Sequence, residues 1–406
     1  MNELNIENGG NERLPGAVVA LGWVSLLTDF ASDMIYPLLP DFLTRTLGAG
    51  PATLGLIEGS AEATASVTKM ASGWWTDRTG RRKPLVVAGY TLAGLVRPLV
   101  GLATSWAQVF AIRFADRVGK GIRTAPRDAL LADLVPAERR GRAFGLQRAM
   151  DNAGAVVGPL TAALLLKTIA PDERTVFLLA LVPGAVGIAL LVWKVREAPV
   201  KAAALPAPAG AAHPERLPRG FRVATAIFIL FTLANSTDAF LLLRARDSGV
   251  ELWQIPLLWA FFHAVKAAAG VPGGILADRI GRVPCVAIGW AVYAISYAGF
   301  AWVAGPRTLW ALFALYALFF ALTEGAERAL VADLVGEKLR GRAYGIFHGG
   351  IGAAALPSSI LFGLWWKLFG PRTAFLIGAA LAAAACIALI AARAALAPPP
   401  KPSPST

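Results

Sequence analysis

VFAIRFADRVGKGIRTAPRDALLADLVPAERRGRAFG, residues Val109–Gly145, decides how this chain is read. It opens with the length and apolarity of a membrane-crossing helix, yet it carries Arg113, Asp116, Arg117, Lys120, Arg123, Arg127 and Asp128. At about 100° per residue these side chains share one side of the helix. Such a stripe is costly in hydrocarbon, so it faces protein or a water-filled space. The end of the stretch also occurs twice. RDALLADLVPAERRGRAFG at Arg127–Gly145 returns as ERALVADLVGEKLRGRAYG at Glu327–Gly345, identical at about 11 of 19 positions and roughly 200 residues on. One half of the chain is therefore a copy of the other.

The rest of the chain suits a membrane. Of 406 residues, 56% are hydrophobic and only 16% charged, and the mean hydropathy is +0.56. That is too apolar for a soluble protein of this length. Apolar segments recur often enough for about twelve spanning helices of roughly twenty residues each. The net charge of +13 does not point to nucleic acid, because most Lys and Arg sit in short loops that alternate along the chain, the positive-inside pattern. An even number of helices and basic loops at Arg78–Lys83, Pro136–Arg142 and Arg279–Arg282 place both termini in the cytoplasm, as expected of a multi-pass protein of the bacterial inner membrane. The expected layout is an N-terminal six-helix bundle at 16–193, a basic Ala/Pro-rich cytoplasmic linker at 194–222, a C-terminal six-helix bundle at 223–392 and a disordered tail at 393–406. The acidic, polar start followed by a long apolar run argues against a cleaved signal peptide. Cys285 and Cys386 lie in apolar segments and form no disulfide framework or metal site. No nucleophile–base constellation or nucleotide loop suggests an enzyme, and no cofactor is implied. Gly119-Lys120-Gly121 lies inside a membrane helix, not after a strand.

Ionisable residues are unevenly spread. The sixth, ninth and twelfth segments are uncharged, and the third nearly so apart from Arg97. Every third helix thus looks built for lipid, and the other eight look built to line an interior. The first segment carries Asp29 and Asp33, the second Glu58 and Glu62, the fifth Asp151 and the seventh Asp238. These six carboxylates are candidates for proton coupling, Asp33 first and Asp29 next, or else structural partners for neighbouring cations. Arg113, Arg117 and Lys120 exceed what Asp116 neutralises. They bind an anionic substrate group, or they pair with Asp29, Asp33 and Asp151 in a closed network. His263 and Lys266 are the matching cavity candidates in the second half. Trp74, Trp75 and Trp290 read as interfacial anchors rather than a ligand cage.

Gly73-x-x-x-Asp77-Arg78-x-Gly80-Arg81-Arg82 resembles the signature loop between helices 2 and 3 of the major facilitator superfamily. Gly274-x-x-x-Asp278-Arg279-x-Gly281-Arg282 resembles its second copy. The resemblance covers nearly the whole chain and implies an all-α membrane protein: twelve helices in two pseudo-symmetric bundles around a central cavity, working by alternating access. It also implies a monomer whose partners are a small-molecule substrate, protons and the bilayer. Gly154-x-x-x-Gly158-Pro159 resembles the helix 5 signature of the drug:proton antiporter branch, with Ala162 and Ala163 where glycines usually follow. The family's helix 4 arginine maps to Arg113 or Arg117. Proton-coupled efflux follows as the leading expectation, with proton-coupled uptake of a small organic anion as the alternative.

Two gating devices are expected. Asp77 sits beside the start of helix 11, after Gly341, where a helix dipole favours an anion. With Arg78, Arg81, Asp278 and Arg279 it forms a latch that breaks between states. Pseudo-symmetry also brings Arg123 and Arg127 towards Glu324 and Glu327 as a cytoplasmic gate.

Overall fold

The computed structural model describes residues 14–79, 81–136, 139–169, 171–195, 217–303, 305–335 and 339–396. Among these the chain is built of helices, with no strand. α1 spans Gly16–Thr46, α2 Pro51–Thr79, α3 Lys83–Leu102 and α4 Trp106–Asp133. α5 spans Arg140–Thr168, α6 Glu173–Lys194, α7 Arg219–Asp247, α8 Gln254–Ile280, α9 Arg282–Trp302 and α10 Pro306–Asp333. The last helical run, Arg340–Ala391, bends at Gly370, whose φ of +83° favours glycine. It divides there into α11 (340–369) and α12 (371–391).

Nine of the described helical runs are long and apolar enough to cross a membrane, the last of them counted undivided. α2 and α4 have the length, 29 and 28 residues, but are more polar than these nine. With these two, and the last run divided, the described rods number the twelve expected. Most of the expected linker (196–216), the tail beyond 396 and the side chain of Asp77 lie outside the described residues. α7 begins at Arg219, four residues before the expected start of the second bundle.

Glycines set how closely the rods approach. A Cβ on Gly158 would meet the Phe30 carbonyl oxygen at 2.5 Å, and one on Gly154 would meet the Asp29 Cβ at 3.1 Å. The Gly154–Gly158 stripe of α5 therefore lies directly on the backbone of α1. Gly89 of α3 and Gly119 of α4 face each other in the same way, each aimed at the other's carbonyl oxygen at 2.6 and 2.8 Å. The two halves meet along α2 and α11. A Cβ on Gly363 would meet Pro51 O at 2.5 Å, and one on Gly59 would meet Leu356 O at 3.0 Å.

α7 departs from the continuous helix expected. It unwinds at Asn235–Asp238 and resumes at Ala239. Backbone groups freed inside a membrane must find partners, and here side chains supply them. Tyr293 Oη donates to Ala234 O at 3.1 Å and Ser358 Oγ to Asn235 O at 3.0 Å.

The 200-residue offset of the repeat carries into three dimensions. Gly89 packs against Arg123, and Gly289 packs against Thr323. What fills the two halves differs. Arg97, Arg113, Asp116 and Lys120 have as counterparts Tyr297, Phe313, Tyr316 and Phe320. The second half accordingly has an aromatic core, in which Trp290 stacks on Phe231 at 4.3 Å and Tyr293 on Tyr297 at 4.2 Å. Trp290 is 0% exposed, so it is a core residue and not the interfacial anchor expected. Trp74 and Trp75 are exposed, and Arg78 lies 3.7 Å over the Trp74 ring.

Candidate functional site

The polar interior of the first half is a closed ion network. α4 turns Arg113, Asp116 and Arg117 towards α2 and α3, and all three are buried. Arg113 makes a two-pronged contact with Glu58 at 2.9 and 2.7 Å. Arg97, on the helix that looked built for lipid, points inward and donates to Asp116 Oδ1 at 3.0 and 2.7 Å. Arg117 lies 3.6 Å from both Glu62 and Asp116. Three cations therefore face three carboxylates. Five of these ions are buried, each beside an opposite charge that offsets the cost of its burial; the sixth, Glu62, is 52% exposed. Glu58 and Arg113, expected at the proton path and the substrate cavity, are instead sequestered inside the bundle. The network also closes without Asp29, Asp33 or Asp151. Lys120 is left over. It is exposed, and among the described residues it has no carboxylate within 4.0 Å.

The loops predicted as a latch contribute pairs within each half. Arg82 pairs with Asp133 and donates to Ala129 O at 2.8 Å. Its counterpart Arg282 pairs with Asp278 and lies 3.8 Å from Asp333. Arg81 and Arg279 are exposed.

Between the halves, a cleft of about 620 Å³ opens towards the end that bears these basic loops. Its ionic lining is Arg127, Asp128, Arg148, Asp151, Lys266, Glu324 and Arg328. The gate expected here is absent from this conformation. Arg123 is buried with its guanidinium 4.2 Å over the Tyr90 ring. Arg127 pairs with its neighbour Asp128 at 2.9 Å and donates to Ser25 Oγ at 3.3 Å. Glu327 turns back into its own half, where Trp290 Nε1 donates to it at 3.3 Å. Only Glu324 reaches across, and its partner is Arg148 of α5. Arg148 went unremarked in the sequence because the repeat pointed to α4 instead.

The opposite end is closed. Asp41, 5% exposed, accepts from Arg246 Nε across the halves at 2.8 Å and pairs with Arg45 at 3.1 Å. Arg45 also reaches Asp247 at 3.3 Å. These four residues were missed, although a signal was present: Asp41 and Arg246 each follow the corresponding Asp33 and Asp238 by eight residues. Positions related by the pseudo-twofold do meet, but on α1 and α7 rather than α4 and α10.

Beneath this seal Asp33 Oδ1 accepts from Trp259 Nε1 of α8 at 3.0 Å, a bond that joins the two halves. Asp29 lies one turn along α1 against Gly154. Asp238 accepts from Tyr316 Oη at 2.5 Å, and Gln147 donates to Asp151 at 3.1 Å. His263 packs between Trp259 and Phe262, its buried Nε2 without a partner among the described residues. Among these residues no group of His, Cys, Asp and Glu is arranged to hold a metal.

A family model described as Major Facilitator Superfamily matches residues 21–269 and 223–406. An uncharacterised MFS-type transporter of Methanocaldococcus jannaschii is 34% identical over 94% of this chain and 96% of its own length. The fosmidomycin resistance protein of Escherichia coli is 27% identical over 84% of this chain and 85% of its own. Among solved structures, a bacterial homologue of the human lysosomal transporter Spinster, inward-facing and occupied, gives a TM-score of 0.72 at 16% identity. It covers 95% of this chain and 97% of that one, a likeness of fold alone.

Proposed function

Because the chain belongs to the major facilitator superfamily, a family of membrane transporters, we propose that it exports a small molecule in exchange for protons, rocking its halves about the cleft. The observation that carries this reading is the junction at Asp33, a carboxylate beneath the closed end that is hydrogen-bonded across the halves by Trp259. Opening that end separates α1 from α8, removes the indole donor and wets the carboxylate. A carboxylate whose surroundings change in this way changes its hold on a proton. Asp29 follows, at the tight contact of α1 with α5. Export is supported by the resistance protein among the relatives and by the partial antiporter signature at Gly154–Pro159. The same reading places the basic-loop end and both termini in the cytoplasm of the inner membrane, with the protein acting as a monomer.

The test uses proteoliposomes with an imposed pH gradient and a panel of organic anions and lipophilic cations. Asp33→Asn, alone or with Asp29→Asn, is expected to abolish proton-driven movement while sparing gradient-free counterflow. Full proton dependence in both single variants removes these residues from the mechanism.

A second reading, proton-linked uptake of an organic anion, is favoured by one observation: cations outnumber carboxylates in the cleft lining.

A further inference from the structure

We infer that the cleft binds a small organic anion with an apolar body, its acidic group held by Arg148, Lys266 and Arg328 in place of the Glu324 carboxylate that holds them now. This rests on the cleft being the transport passage and names the class of its cargo.

The argument starts from the charge balance around Glu324. Arg148 pairs with its Oε1, Arg328 reaches the same oxygen at 3.1 Å, and Lys266 lies 3.4 Å from Oε2. Three cations thus share one carboxylate. Of the nearby carboxylates, Asp128 pairs with Arg127, and Asp151 accepts from the neutral Gln147 and keeps its charge, so the lining sets four cations against three carboxylates. Two guanidinium groups and an ammonium offer far more N–H donors than two oxygens can accept. The surplus faces water in the cleft, since the Arg148 and Arg328 side chains are 53% and 54% exposed. A second anion therefore finds donors already gathered.

The cations also come from different halves, Arg148 from α5 and Lys266 and Arg328 from α8 and α10. An acidic group seated among them bridges the halves, as Glu324 does in this structure. Glu324 is then an internal competitor: it keeps the cations together without cargo and yields when cargo arrives. The walls fit an apolar body. Phe144 and Phe320 line the cleft, and Lys266 lies 4.3 Å over the Phe320 ring. The volume of about 620 Å³ falls in the range of small-molecule sites.

The experiment is equilibrium titration of benzoate against the full chain in lipid nanodiscs, with acetate, benzyl alcohol and benzylamine as matched probes. Benzoate is expected to bind most tightly, acetate less for want of a ring, and the neutral and cationic probes least. Glu324→Gln is expected to tighten benzoate, and Arg148→Gln and Lys266→Gln to weaken it, each by about fivefold to tenfold, the scale of one charge pair in a wet site. Arg148→Lys keeps the charge and is expected to retain most of the affinity. The inference is overturned by benzyl alcohol or benzylamine binding as well as benzoate, by Glu324→Gln leaving benzoate affinity unchanged or lower, or by Arg148→Lys losing as much as Arg148→Gln. No gradient is needed, so the two readings fail separately. Benzoate binding without proton-driven movement removes the coupling alone, whereas proton-driven carriage confined to cations removes the anion site alone.

Discussion

Asp116 is the hub of the first half. Arg97 and Arg113 both donate to it, and Arg117 lies 3.6 Å away. Removing one member of a buried ion cluster leaves uncompensated charge, which costs about 3–5 kcal/mol. Asp116→Asn is therefore expected to lower thermal stability in detergent by a loss of that size. A variant that melts with the wild type would show that water already screens the cluster. At this scale the sequence announced which residues matter better than which ones touch. Charge in an apolar helix is visible at once. Partner choice depends on helix rotation and depth, which is why Arg97, on a segment that reads as lipid-facing, turns inward to Asp116. Trp290 erred in the opposite sense: indole suits both an interface and a core, and only the rings of Phe231 and Phe228 beside it decide.

Among the helices, α5 shows how much a glycine can mean. Gly145 has open space around its Cα, whereas Gly158 faces the α1 backbone. Gly145→Ala is expected to be neutral, or stabilising by up to about 1 kcal/mol through helix propensity. Gly158→Ala forces α1 and α5 apart and is expected to destabilise by about 1–3 kcal/mol. Melting temperatures of the two variants check this, and equal values would mean that α1 yields freely. The twelve rods were legible because hydrocarbon thickness imposes their length. The interruption of α7 was legible only in part. An Asn-Ser-Thr-Asp run is a poor helix interior and a good cap, but the hydroxyl groups that satisfy its carbonyls come from α9 and α11, more than fifty residues away.

For the molecule as a whole, the repeat made two bundles readable, while the state of the passage between them was not. The end that is shut here is held by contacts such as Asp41–Arg246 between side chains about 200 residues apart. Asp41→Arg and Arg246→Asp, singly, are expected to loosen the closed end, and the double exchange to restore it. In a background with Cys285 and Cys386 replaced by Ala, labelling of Thr237→Cys by a membrane-impermeant maleimide reads this directly. Labelling should rise in each single variant and fall back in the double. No recovery in the double would leave the seal to the apolar packing around it.

The closed ion network has an electrical consequence. Moving one elementary charge through the membrane voltage involves about 2.3 kcal/mol of work per 100 mV. Arg97, Arg113 and Arg117 cancel Glu58, Glu62 and Asp116 inside a single half, so in the proposed rocking motion these six residues perform no net electrical work. Lys120, Arg123, Asp29 and Asp33 of that half, together with the ions lining the cleft, lie outside this cancellation.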